Sequence, residues 1–442
     1  MSAGNSPQAG DPAPYFFLSY AHTPKQDPND PGDPDKWVVN LFDDLCAHIM
    51  QMTNLPHGAR AGFMDRELRS GSDWPYRLAQ ALATCRVFVP LYSQRYFESE
   101  QCGKEWFAFS LRALNNTARG AGPAEAIIPA LWVPVGLERL PQAARSIQFA
   151  HPDLGARYST HGFYGIIKLS RYRNDYEEAV YELARRIVEA AQRTSIGPGE
   201  ATTHYDSLDS AFGSQELGLP GDRRIRVTVV APDVTCLPDD RGAYHYGPTA
   251  REWNPYRPDS VRPLAAYAAD LIRNLDFRPD AGCLDDDADE LLADDPPTGP
   301  GLLLVDAWAT TDSECQDLLR RLDALSKPWI GVMVPWNRQD TETVGAAAKL
   351  RQSLDVSLHH KLAEGRLASR TAVNGVPSLE EFGRVLPAVV KEAARQFLRH
   401  AQAFPPAGPV VERPRLQGPE AMADPSDPAD PADTEYPDER SP

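Results

Sequence analysis

The feature that most restricts this chain is a pair of short, almost unbroken apolar runs, residues 86–92 (RVFVPLY) and 126–135 (AIIPALWVPV). Neither alternates apolar with polar residues, as a strand with one wet face would, and both are too short to cross a bilayer. They predict strands buried on both faces, which occur where helices cover both sides of a parallel sheet. Residues 15–20 (YFFLSY) and 61–64 predict two further strands. Residues 37–50 put Val38, Leu41, Leu45 and Ile49 on one helical face, with Asp35 as the cap. A second helix starts at Trp74-Pro75, capped by Ser72 or Asp73, and turns Leu78, Ala81 and Leu82 inward. Residues 164–169 (YGIIKL) are expected as a fifth strand, and 174–192 as a closing helix with Val180, Leu183, Ile187 and Val188 on its stripe.

Strands alternating with helices in this way predict an α/β fold with a doubly wound, flavodoxin-like parallel sheet. Ligands of such sheets sit beyond the carboxyl ends of the strands, at the switch point between the first and third. The residues following Tyr20 and Tyr92 are therefore the ones to inspect. The pattern then recurs: strands at 224–230, 301–308 and 329–336, with helices at 261–275, 313–325, 349–367 and 378–400. Residues 195–222, rich in Gly, Ser and Pro without a sustained period, read as a linker. Two domains of the same class are expected, at 14–194 and 223–403. Residues 1–14 and the acidic, proline-rich tail 404–442 have too little to bury and are expected to be disordered.

Composition narrows the function. The 442 residues contain 62 acidic and 45 basic side chains, a net charge of −17, which excludes a non-specific nucleic-acid binder because phosphate neutralisation needs clustered Lys and Arg. Cys46, Cys85, Cys102, Cys236, Cys283 and Cys315 form no CxxC pair, so neither a disulfide framework nor a metal site is expected. With no basic-then-apolar leader and no membrane-length run, a soluble cytoplasmic protein is expected. Arginine far exceeds lysine, and Ala, Pro and Asp are abundant, as in proteins of high-GC bacteria. The acidic stretch 285–295 lacks the glycine-bearing spacing of a calcium loop and is expected to be solvated. The aromatic stretch 244–256 is open to two readings, a recognition loop or packing.

Three segments, in order and on the expected elements, carry a resemblance. They are Phe16-Phe17-Leu18-Ser19-Tyr20-Ala21-His22; Phe63-Met64-Asp65-Arg66-Glu67-Leu68-Arg69-Ser70-Gly71-Ser72-Asp73-Trp74; and Ser93 followed by Tyr96-Phe97-Glu98-Ser99-Glu100-Gln101-Cys102-Gly103-Lys104-Glu105-Trp106. Over residues 14–194 the chain resembles a TIR domain. The second segment is similar to the family's BB loop, and the third to its Ser, Trp-Cys, Glu pattern, with Gln101 where the family has Trp. A receiver domain shares the topology but needs an Asp ending the third strand, where Leu91-Tyr92-Ser93 stands.

The resemblance implies cleavage of the nicotinamide–ribose bond of NAD+, with Glu105 at the family's catalytic position. Loss of nicotinamide leaves an oxocarbenium-like ribosyl centre, which a carboxylate within reach stabilises. NAD+ enters as substrate, and no cofactor is expected. Ser19, Tyr20, His22, Asp65, Trp74 and Cys102 would border the substrate. Of these, His22 reads as a loop histidine rather than a catalyst, Asp65 as a site residue or the pin of the BB-loop turn, and Trp74 as a stacking surface or a core aromatic. Arg66, Leu68, Ser70 and Gly71 of the BB loop would form a self-association surface. The competing class is a non-enzymatic adaptor.

The second half reads as a degenerate copy. Leu131-Trp132-Val133-Pro134 lines up with Val332-Met333-Val334-Pro335, and Ser99-Glu100-Gln101-Cys102 lines up with Ser313-Glu314-Cys315 once one residue is deleted. Three residues past Cys102 stands Glu105, and three past Cys315 stands Leu318, so the copy lacks the carboxylate. Across nearly its whole length the chain also resembles the bacterial TIR-like FxsC family. Its members accompany systems that make a ribosomally synthesised, radical-SAM-modified peptide, which implies partners from such a system.

Overall fold

The computed structural model describes residues 13–400 apart from 26, 28–31, 56–58, 60, 66–73, 123–124, 146, 148–150, 195, 200–204, 206–207, 213–222 and 294–297. The first half runs β1 (Phe16–Ser19), α1 (Lys36–Met52), β2 (Gly62–Met64), α2 (Trp74–Thr84), β3 (Val87–Tyr92), α3 (Gln94–Glu98), α4 (Glu100–Ala118) and β4 (Ala130–Leu131). It closes with α5 (Gln142–Arg145), α6 (Ala156–Lys168) and α7 (Arg173–Arg193). Its strands are parallel in the order β2-β1-β3-β4. Every residue of β1 and β3 is buried, which is why both read as unbroken apolar runs. α1 buries Val38, Leu41, Leu45 and Ile49, the face its spacing predicts.

Two strand expectations are corrected. Residues 126–135 keep only Ala130 and Leu131 in the ladder, plus a bridge from Ile127 to Phe88, because Pro129 and Pro134 have no N–H to donate. Residues 164–169 are not a fifth strand but the end of α6, with Tyr158, Phe163 and Ile166 buried and Tyr164 exposed. A four-residue apolar run fits either period, and here the helical one wins. Gly162 breaks α6 with φ 64°, and a Cβ there would lie 2.5 Å from the Trp132 carbonyl oxygen.

The second half repeats the plan. β5 (Arg224–Val230), α8 (Leu264–Asn274), β6 (Arg278–Cys283), α9 (Leu284–Leu292), β7 (Gly301–Val305), α10 (Ser313–Ala324) and β8 (Ile330–Met333) build a parallel sheet ordered β6-β5-β7-β8. Counted from its own first strand, this is the order of the first sheet. α11 (Thr341–Gly345), α12 (Ala347–Ser357), α13 (His359–Ala368), α14 (Arg370–Asn374) and α15 (Leu379–His400) complete it. The single helix expected over 349–367 is interrupted between α12 and α13, where the Asp323 carboxylate accepts from the backbone N–H groups of His360 and Lys361.

The acidic stretch is likewise not a solvated loop. Its residues 285–292 lie in α9, whose Asp287 is buried against the Arg226 guanidinium and accepts a 2.5 Å hydrogen bond from Thr228 Oγ1. In the aromatic stretch, Tyr246, Trp253 and Tyr256 are buried in the packing, while Tyr244 is exposed. None of the six cysteines, all among the described residues, is in a disulfide. The two halves belong to one compact unit. The described residues of the connecting stretch are part of it, with Tyr205, Leu208 and Ser210–Phe212 buried. Residues 1–12, the BB-loop stretch 66–73 and the tail 404–442 lie outside the described residues.

Candidate functional site

Two serine caps set the register of the helices that follow β3. The Ser93 hydroxyl accepts from the Tyr96 backbone N–H to start α3, and the Ser99 hydroxyl accepts from that of Cys102 to start α4. This register turns Cys102 and Glu105, three residues apart, both inward. The Glu105 carboxylate, 3% exposed, reaches the end of β1, where Ser19 Oγ donates to its Oε2 at 2.5 Å. Tyr96 Oη lies 3.0 Å from the same Ser19 hydroxyl. The site thus stands at the carboxyl ends of β1 and β3, the switch point of the sheet.

Burial pushes the Glu105 carboxyl up to about 8, and the Asp65 charge adds to it, against the pull of the Ser19 hydrogen bond, the His22 charge and Gln101. Cys102 is buried beside it, its thiol pushed well above the ordinary range by burial and then by the Glu105 charge. It is an inert thiol in this setting, because the thiolate is the reactive form.

His22 bridges two carboxylates. Its Nδ1 lies 2.9 Å from Asp35 Oδ2 and its Nε2 lies 3.2 Å from Asp65 Oδ2, while its ring meets Tyr20 edge-on at 4.7 Å. The hydrogen bonds to Asp35 and then Asp65 push its pKa up to about 9 against the cost of burial, so it is a cation at neutral pH. Asp35, expected as the cap of α1, makes no side-chain cap bond. Its carboxylate accepts instead from His22 and from the Thr23 backbone N–H at 2.9 Å, and these bonds outweigh burial and hold its pKa low. The contact between His22 and Asp35 thereby joins the two ends of the acidic, proline-rich stretch 23–35 beside the site.

The structure therefore brings together Ser19, Tyr20, His22, Asp65, Cys102 and Glu105. Trp74 begins α2, but its side chain is not among those described, and Arg66, Leu68, Ser70 and Gly71 lie outside the described residues. Sequence reasoning missed Asp35 and Tyr96 as site residues. Asp35 looked like a cap, and its contact with His22 exists only in the tertiary structure. Tyr96 sat inside a quoted motif with no role assigned.

The equivalent place in the second half is filled. Tyr246 Oη donates to Asp306 Oδ2 at 2.6 Å, Arg241 Nε donates to Tyr246 Oη at 2.9 Å, and Arg241 Nη1 pairs with Asp340 Oδ2 at 2.7 Å. Asp306 directly follows β7, as Ser93 follows β3, and burial pushes its carboxyl up to about 6. The capping chemistry corrects the alignment of the two halves. Asp312 accepts from the Cys315 backbone N–H as Ser99 does from that of Cys102, so Ser99–Cys102 matches Asp312–Cys315 with no deletion. Leu318 then occupies the Glu105 position.

Among the described residues, no group of three or more His, Cys, Asp or Glu side chains could hold a metal ion, and no helix is long and apolar enough to cross a membrane. The family model of the TIR domain matches residues 16–155, from the first residue of β1 to the loop before α6. No curated protein matches the chain.

Proposed function

Taking the TIR domain at residues 16–155 as premise, we propose that the first half cleaves the nicotinamide–ribosyl bond of NAD+ with Glu105 as the catalytic carboxylate. One observation carries the reading: a buried glutamate, hydrogen-bonded to Ser19, at the switch point of a doubly wound sheet. A carboxyl poised near 8 is largely neutral in the empty site. The cationic nicotinamide ring of NAD+, placed beside the carboxyl, favours its ionised form. As the glycosidic bond breaks, its electron pair leaves with nicotinamide, and the carboxylate offsets the charge left on the ribosyl carbon. Water attacks that carbon and a proton is released, giving nicotinamide and ADP-ribose. Ser19 orients the carboxylate, and the His22 cation, fixed by Asp35 and Asp65, keeps the neighbouring acids compatible with an ionised Glu105.

The test is direct. Concentrated protein incubated with NAD+ should release nicotinamide, and Glu105→Ala should not. High concentration suits a second part of the proposal, self-association through the BB loop around Arg66, Leu68, Ser70 and Gly71. A second reading, a non-enzymatic adaptor in a bacterial modified-peptide system of the FxsC kind, draws on the same 3% exposure, since substrate must find a way to Glu105. Absence of nicotinamide release even from forced oligomers would favour it. In both readings the protein is a cytoplasmic signalling or defence component, and the second half supports the first without chemistry of its own.

A further inference from the structure

The stretch that joins the two halves is built into the wall of the site. Ala211 donates its backbone N–H to the Gly103 carbonyl oxygen at 3.1 Å, on the helix that carries Glu105. The fit requires glycine there, because a Cβ on Gly103 would lie 1.9 Å from Ser210 Oγ. Phe212 then fills an aromatic nest, with ring centroids 5.6 Å from Tyr96, 5.3 Å from Phe97 and 5.7 Å from Trp106. Tyr96 is the residue whose hydroxyl meets Ser19, and Ser19 donates to Glu105. Further along, Tyr205 Oη accepts from Gln101 Nε2 at 3.0 Å, and Asp209 pairs with Lys391 of α15 at 2.5 Å.

We infer that Phe212 is a positioning residue for Glu105: seated on α3 and α4, it holds the Tyr96–Ser19 hydrogen-bond chain that orients the carboxylate. It reaches this place because Asp209 ties the joining segment to the second half, so that half contributes to the site without touching substrate. The packing argument is steric. Without the ring, Tyr96 and Trp106 face a void, and Tyr96 is free to swing its hydroxyl away from Ser19. Water admitted there also relieves the burial of Glu105. Among the described residues, the charged and titratable groups facing that carboxyl are His22 after β1, Asp65 after β2, Tyr96 on α3 and Cys102 on α4.

The inference rests on reading Glu105 as the reacting group, but its first readout needs no turnover. In full-length protein with carbon-13 at the glutamate carboxyls, the Glu105 resonance is assigned by its loss in Glu105→Gln and titrated. Phe212→Ala should lower its midpoint by at least one unit and cut kcat for nicotinamide release at least tenfold, with KM changed less than threefold. Phe212→Leu, which keeps most of the volume, replaces it if that variant does not fold. Gly103→Ala should act in the same direction by lifting Ser210, and Gly103→Ala with Ser210→Gly should recover most of both effects. A variant with a lower Tm but an unchanged midpoint and kcat would overturn the positioning role. A wild type that releases no nicotinamide, while the midpoint still moves in Phe212→Ala, would sink the NAD+ reading and leave the positioning role standing.

Discussion

Ser19 and Glu105 are 86 residues apart in sequence and 2.5 Å apart in space. The last residue of a central strand and an acid in the second turn of a helix meet at the one edge of the sheet where neighbouring connections leave in opposite directions. The proposed cleavage chemistry depends on that contact.

Glu105→Gln should change how stability varies with pH. Glutamate in an unfolded chain titrates near ~4.3, whereas folded Glu105 is pushed up to about 8. The native state therefore holds the proton more tightly. The wild type has this contribution in full below the unfolded value and loses it as pH rises through the folded one, by on the order of 5 kcal/mol in all. Urea unfolding at pH 5 and pH 9 should show that loss, and the glutamine variant should be flatter. Parallel curves for the two proteins would contradict the buried acid.

His22 has the opposite charge type and its own window. Its folded pKa is about 9 and its unfolded value near ~6.5, so its contribution is complete below the lower value and fades as pH passes the higher. Asp35→Asn removes the larger of its two hydrogen-bonding carboxylates and should lower the imidazole midpoint by at least one unit in a nitrogen-15 NMR titration. An unmoved midpoint would show that Asp35 does not hold the ring.

Leu318→Glu should not confer cleavage on a Glu105→Ala background. The carboxylate would return to the matching helix position, but Arg241, Tyr246 and Asp306 already fill the end of β5 and β7. Nicotinamide release from the double variant would refute the idea that the second half is closed by its own side chains.

Arg241→Met should be among the most damaging changes in the second half. It leaves the Asp340 carboxylate buried without its guanidinium and removes the donor to Tyr246, a loss of roughly 3–5 kcal/mol for a broken buried pair. Denaturant midpoints against wild type measure it. A loss below 1 kcal/mol would mean that water replaces the arginine.

Gly162→Ala tests the corrected end of the first half. Alanine at φ 64° is strained, and its Cβ would lie 2.5 Å from the Trp132 carbonyl oxygen. A loss of about 2 kcal/mol or more is expected, read as a fall in Tm.

Local chemistry made much of this architecture legible. Unbroken apolar runs announced β1 and β3, the 3.6-residue stripe of Val38, Leu41, Leu45 and Ile49 announced α1, and the resemblance carried by Ser93, Cys102 and Glu105 pointed to Glu105. Those signals are one-dimensional, because burial on two faces or on one stripe fixes which residue types a segment accepts. Tertiary structure decided the rest. YGIIKL is short enough for either period, and in the fold it continues α6 beyond the Gly162 kink, next to the buried Phe163 and with Ile166 turned inward. Asp35 had the position of a cap, and the tertiary structure set its carboxylate against His22. Asp287 looked solvated until the Arg226 guanidinium was found beside it. Residues 208–212 looked like linker because their partners, Gly103, Trp106 and Lys391, lie far away in sequence. An ion pair or an aromatic nest is defined by what converges in space, and no period or composition along the chain records that convergence.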